Sequence, residues 1–138
     1  MINLVIWNEF LHEKENDQVK SIYPKGIHEC IKEFLSKDKE LSISTATLEE
    51  KDHGLSEELL EKTDVLIWWG HKAHKLVEDK IVDRIQQRVL EGMGLLVLHS
   101  GHHSKIFKRM MGTTANLRWA ERGEKESCLL YTSDAADD

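Results

Sequence analysis

Six of the eight histidines in this sequence stand just after short apolar runs. His12 follows residues 2–7, His71 and His74 follow residues 64–69, and His99, His102 and His103 close residues 94–99. Imidazole changes charge near neutral pH and ligates zinc and other borderline ions, so such a group can do acid–base chemistry or hold a metal. His71, His99 and His12 are the expected ligands, for a divalent ion of the zinc class. His99 is also the expected acid–base residue, with Glu9 as a carboxylate base or further ligand. Asn8, His74, Ser100 and His102 occupy the same run ends, where polar side chains can contact a small substrate. Trp69, the second of a Trp68-Trp69 pair, can reach the rim and stack on a sugar face. His102 and His103 are adjacent and are expected to point apart. His28 and His53 fall in a helical stretch and a turn, with no role expected.

Other chemistries fit less well. Ser100 follows an apolar run and precedes Gly101, as in a nucleophile elbow, but Gly-x-Ser-x-Gly is absent because Leu98 and His102 hold the outer positions. Gly92-Met93-Gly94 precedes an apolar run and so stops a helix; a phosphate loop would link strand to helix. The two cysteines, Cys30 and Cys128, form no Cys-x-x-Cys pair, which excludes a thiolate zinc site and a disulfide framework and fits a reducing compartment.

The elements that must position these residues can be read from periodicity. Residues 2–7, 64–69 and 94–99 are apolar runs of strand length, the last two reading as strands buried on both faces. Residues 41–47 alternate as an edge strand does. Helical spacing joins Ile27, Ile31, Phe34 and Leu35 after Pro24, and again Val77, Ile81, Ile85 and Val89. Ser56 caps a short helical turn, and Ser104 caps a last helix carrying Ile106, Phe107, Met110 and Met111. Residues 8–21 read as a long polar loop. Strands alternating with helices predict an α/β three-layer sandwich around a parallel sheet. In such sheets ligands bind beyond the carboxyl ends of the strands, the rim where the six histidines collect.

Composition narrows the partners. With 138 residues, 40% hydrophobic and 32% charged, the chain has room for one domain. A net charge of −6 argues against nucleic acid, and the mixed charges of residues 121–126 read as solvated surface. No apolar run approaches the ~18 residues of a membrane span, and no signal peptide opens the chain, so a cytoplasmic protein is expected. A second copy of the chain is an expected partner, and neither nucleic acid nor membrane is. Residues 128–138, Cys-Leu-Leu-Tyr-Thr-Ser-Asp-Ala-Ala-Asp-Asp, resemble the in-frame translation of a sequencing-library transposase adapter and are read as non-native. Without Asp134, Asp137 and Asp138 the acidic excess halves.

Several stretches together are similar to the ThuA-like (trehalose utilisation) family. They are Val5-Ile6-Trp7-Asn8-Glu9-Phe10, Ile22-Tyr23-Pro24-Lys25-Gly26-Ile27-His28, Thr45-Ala46-Thr47-Leu48, Thr63-Asp64-Val65-Leu66-Ile67-Trp68-Trp69-Gly70-His71 with His74, Gly92-Met93-Gly94 through Leu98-His99-Ser100-Gly101-His102, and Ser104-Lys105-Ile106-Phe107 to Met111-Gly112-Thr113. The resemblance implies a flavodoxin-like fold of the class I glutamine amidotransferase type. It also implies that the domain (1–127) is partial, its C-terminal part missing. Where those amidotransferases carry a nucleophilic cysteine this chain has His99, so glutamine hydrolysis is not expected. The family is associated with use of trehalose and related disaccharides. One reading is therefore a carbohydrate-binding protein doing metal-assisted acid–base chemistry on a keto sugar. The other is a non-catalytic module that binds a sugar or a partner and serves regulation.

Overall fold

The structure, a computed structural model, describes residues 1–116; the run 121–126 and the segment 128–138 lie outside the described residues. In chain order the elements are β1 (Ile2–Asn8), α1 (His12–Glu15), α2 (Asp17–Ile22), α3 (Ile27–Leu35), β2 (Leu41–Thr47), α4 (Glu57–Glu61), β3 (Val65–Trp69), α5 (Asp79–Leu90), β4 (Gly94–Val97) and α6 (Lys105–Met111). Short 3-10 turns lie at Lys51–Gly54, His74–Leu76 and His99–His103.

The four strands form one sheet in the order β2-β1-β3-β4, with every pairing parallel. Parallel neighbours need a crossover, and the helices between the strands supply it. The register pairs Trp7 with Trp68 and Asn8 with Trp69, so β1 and β3 end level with each other. This is the α/β architecture with a parallel sheet that the alternation predicts, and it is consistent with the flavodoxin-like fold that the family resemblance implies.

Side chains alternate along β1, and each set meets its own helical layer. Val5 and Trp7 join Leu66 and Trp68 beneath Ile81, Val82 and Ile85 of α5 and Ile106 of α6. Leu4 and Ile6 pack with Ile67 against Ile31 and Leu35 of α3 on the other face. Trp7 and Trp68 stack with ring centres 3.7 Å apart and planes 12° from parallel. Such a pair adds about 0.5–1.5 kcal/mol beyond its area burial.

Three expectations need correction. Residues 8–21 are not a loop: Asn16 accepts from the Gln18 and Val19 amides at 3.0 and 3.1 Å, and this cap starts α2 directly after α1. The last strand is not buried on both faces: β4 is the outermost described strand, and Leu96 is 50% exposed. It also ends at Val97, which leaves His99 in the following 3-10 turn. The capped helices are as read, with Ser56 and Ser104 accepting from the Leu59 and Phe107 amides, each at 3.2 Å. Among the described residues no helix is long and apolar enough to cross a membrane.

Candidate functional site

The chain leaves β1 for β2 on one side and returns to β3 on the other, so the strand order reverses between β1 and β3. In open α/β sheets the strand ends at such a reversal are where a ligand crevice forms. Glu9, the first residue after β1, lies at this reversal and is 1% exposed. Its carboxylate accepts from the backbone amides of Lys72 (2.5 Å) and Ala73 (3.0 Å) in the loop after β3, and its own amide donates to the Trp69 carbonyl at 3.2 Å. Consecutive backbone N–H groups form a concave anion seat. Glu9 therefore ties the segment carrying His71 and His74 to the end of β1. With both oxygens engaged, it positions the rim from below.

Asn8, expected at the substrate, is fully buried and spends its side chain on a polar network. Its Nδ2 donates to Glu13 Oε1 (2.6 Å) and to His28 Nδ1 (2.9 Å), and its Oδ1 accepts from the Phe10 amide (2.9 Å). Glu13 Oε1 also accepts from the Ile27 amide at 2.9 Å, which joins α1 to the start of α3. His28 accepts on Nδ1, and burial pulls its pKa below the ordinary value against the raising effect of Glu29, Glu13 and Glu50. It is a neutral core histidine. His53, also read as incidental, is buried between the Leu48 carbonyl (Nδ1, 2.6 Å) and the Glu78 amide (Nε2, 3.1 Å). Glu13 and His28 escaped the sequence reading because nothing in their spacing shows that α1 and α3 meet.

On the rim, three rings form a ladder. Trp69 lies near-parallel to His71 with ring centres 5.8 Å apart, and His71 stacks on His12 at 4.6 Å with planes 19° apart. Trp69 is half-buried and His71 exposed, so the ladder's outer surface faces solvent. Partial burial, then the neighbouring His12, lowers the His71 pKa despite Glu9 below it. This favours the neutral imidazole of His71.

The other half of the rim grows from the turn after β4. His99 has φ of 39°, in the left-handed region that costs a non-glycine residue energy. Ser100 is buried and donates from Oγ to the Gly70 carbonyl at 2.9 Å, so its hydroxyl ties the two strand ends together. A Cβ on Gly101 would lie 2.6 Å from Val97 Cγ1, which is why a glycine closes this turn. The tight turn also overturns the expectation that His102 and His103 diverge, because their ring centres are 4.1 Å apart. His74 lies across from them, 6.1 Å from His103.

As they stand, His12 and His71 of the expected metal set do not aim at one ion. Two stacked rings inclined by 19° hold their lone pairs in nearly parallel planes, so no ion ~2.1 Å from both His12 and His71 lies in both planes. Among the described residues no three His, Cys, Asp or Glu side chains converge, as they stand, on one metal position.

Fold and rim together define a flavodoxin-like α/β domain with a histidine- and tryptophan-lined site at its strand ends. The family model for ThuA, trehalose utilisation, matches residues 3–135, and the chain belongs to that family. No curated protein matches the sequence.

Proposed function

We propose that this protein binds a carbohydrate of the trehalose class across the rim between β1 and β3, with the Trp69–His71–His12 ladder as its platform. The ladder is the observation that carries the reading. It offers a flat apolar surface edged by imidazole nitrogens, matching a sugar ring with its C–H face and flanking hydroxyls. Membership of a trehalose-utilisation family supports the substrate class. His99, exposed at a strained turn where an amidotransferase-like fold would carry its nucleophile, is the acid–base group for an oxidised (keto) sugar. Glu9 acts from below as a positioning residue. The free, exposed thiol of Cys30 suits a reducing cytoplasm.

The enclosed carboxylate of Glu9 favours a second reading, in which the sugar is bound without being turned over. Calorimetric titration of the full chain with trehalose and with its keto derivative tests the first point. Saturable binding should weaken about tenfold in a folded Trp69→Ala variant. Equal affinity in wild type and variant, or no saturable binding of either sugar, would overturn the platform. Consumption of the bound keto sugar, lost in His99→Gln, separates the acid–base reading from simple binding.

A further inference from the structure

Beyond the carbohydrate platform, we infer that His74, His102 and His103 form a separate binding site for a borderline divalent cation of the zinc class. Nε2 of His74 and Nε2 of His102 are both sealed from solvent, and neither has a hydrogen-bond partner. Buried ring nitrogens without partners are costly and point to an occupant. His102 is further prepared: its Nδ1 lies 2.7 Å from the His99 carbonyl, an acceptor only, so Nδ1 carries the proton and Nε2 presents a lone pair. Metal-binding histidines commonly use a backbone carbonyl this way to fix tautomer and orientation.

The ring geometry distinguishes this cluster from the His12–His71 pair. Two imidazoles on one tetrahedral ion, each nitrogen ~2.1 Å from it, have ring centres roughly 5 Å apart. The observed separations of 4.1 Å (His102–His103) and 6.1 Å (His74–His103) bracket that value, with the rings tilted by 56° and 60°. As they stand the three rings do not converge; binding requires rotations of His74 and His103 that bring their nitrogens and His102 Nε2 onto one ion, with a fourth position for water. A compact cluster of three histidines, whose neighbouring carboxylate, Glu9, is already engaged by the Lys72 and Ala73 amides, suits zinc, cobalt or nickel better than magnesium or calcium.

The test is titration of the full-length chain with Zn2+ by calorimetry, without sugar, beside the visible absorption of bound Co2+. One ion per chain and a Co2+ spectrum of nitrogen-ligand type are expected. His74→Ala, His102→Ala and His103→Ala should each weaken Zn2+ binding by at least about tenfold, and His71→Ala should not. Because His103 is the least enclosed of the three, His103→Ala remains informative if the other variants fail to fold. Absence of one-to-one binding, equal affinity in folded His103→Ala and wild type, or an equal loss in His71→Ala would overturn the site. Sugar binding is read separately through Trp69, so either proposal can fail alone.

Discussion

Replacing Glu9 by Gln tests whether the rim is held from beneath. The change preserves side-chain length and volume but exchanges one accepting oxygen for an NH2 group. The amides of Lys72 and Ala73 now both donate to the carboxylate, at 2.5 and 3.0 Å. In the variant one of them must face another donor, and the surviving bond loses its charge. A hydrogen bond to a charged group contributes about 1.5–3 kcal/mol net, and weakening the second costs a further part of that. Relief from holding a buried carboxylate offsets some of the loss, leaving a net destabilisation of about 2–3 kcal/mol. For a domain of this size that lowers the melting midpoint by on the order of 10 °C. Urea unfolding at neutral pH measures it directly, and the His71 and His74 ring resonances should shift along with stability. A Glu9→Gln variant within about 0.5 kcal/mol of wild type, with those resonances unmoved, would refute the clamp.

Two further outcomes follow from the histidines. Burial holds His28 and His74 below their ordinary pKa, so on acidification the unfolded chain takes up protons that the fold refuses. Stability should be fully present above about pH 6.5 and fall below it, giving a lower urea midpoint at about pH 5.5 than at about pH 7.5; a flat or rising midpoint would contradict this. At His99, glycine relieves the positive φ, so His99→Gly should unfold about 0.5–1 kcal/mol later than His99→Ala, and the reverse order in thermal melts would remove the strain argument.

Periodicity and capping made much of the fold legible. The strand runs at residues 2–7 and 64–69 lie within one or two residues of β1 and β3, because a buried parallel strand leaves an unbroken apolar stretch. Ser56 and Ser104 announced their helices through local hydrogen bonds that need no tertiary knowledge. Asn16 carried the same signal for α2, ahead of Asp17-Gln18-Val19, but the polar character of residues 8–21 hid it. The rim's membership was legible too, since it depends only on which residues follow which strands. Its internal arrangement was not. That His71 stacks on His12, or that His102 and His103 share a side, depends on how separate loops pack and on a tight turn after β4. The burial of Glu13 and His28 likewise depends on α1 meeting α3, a contact between segments with no pattern in common.

The placement of Glu9 explains how one short loop serves both halves of the rim. Residues 69–74 leave β3 with Trp69 and His71 on the ladder side and His74 on the side of His102 and His103. Gly70 lets this segment press close, since a Cβ there would approach His74 Nδ1 to 3.2 Å and Glu9 Oε2 to 3.5 Å. Loops are ordinarily the least rigid place to mount a site, and the usual remedy is hydrogen bonding from a second layer of residues. Here that layer is Glu9 holding the Lys72 and Ala73 amides, with Ser100 holding the Gly70 carbonyl from the neighbouring turn. Both anchors grip backbone, so they fix where the loop lies without engaging the rings of His71 and His74. A carboxylate serves better than an amide in Glu9's place because it offers two acceptors and no donor, and the seat it fills is made only of N–H groups. Glu9 and Ser100, named from the sequence for catalysis and substrate contact, both hold backbone groups of this loop from beneath the histidines.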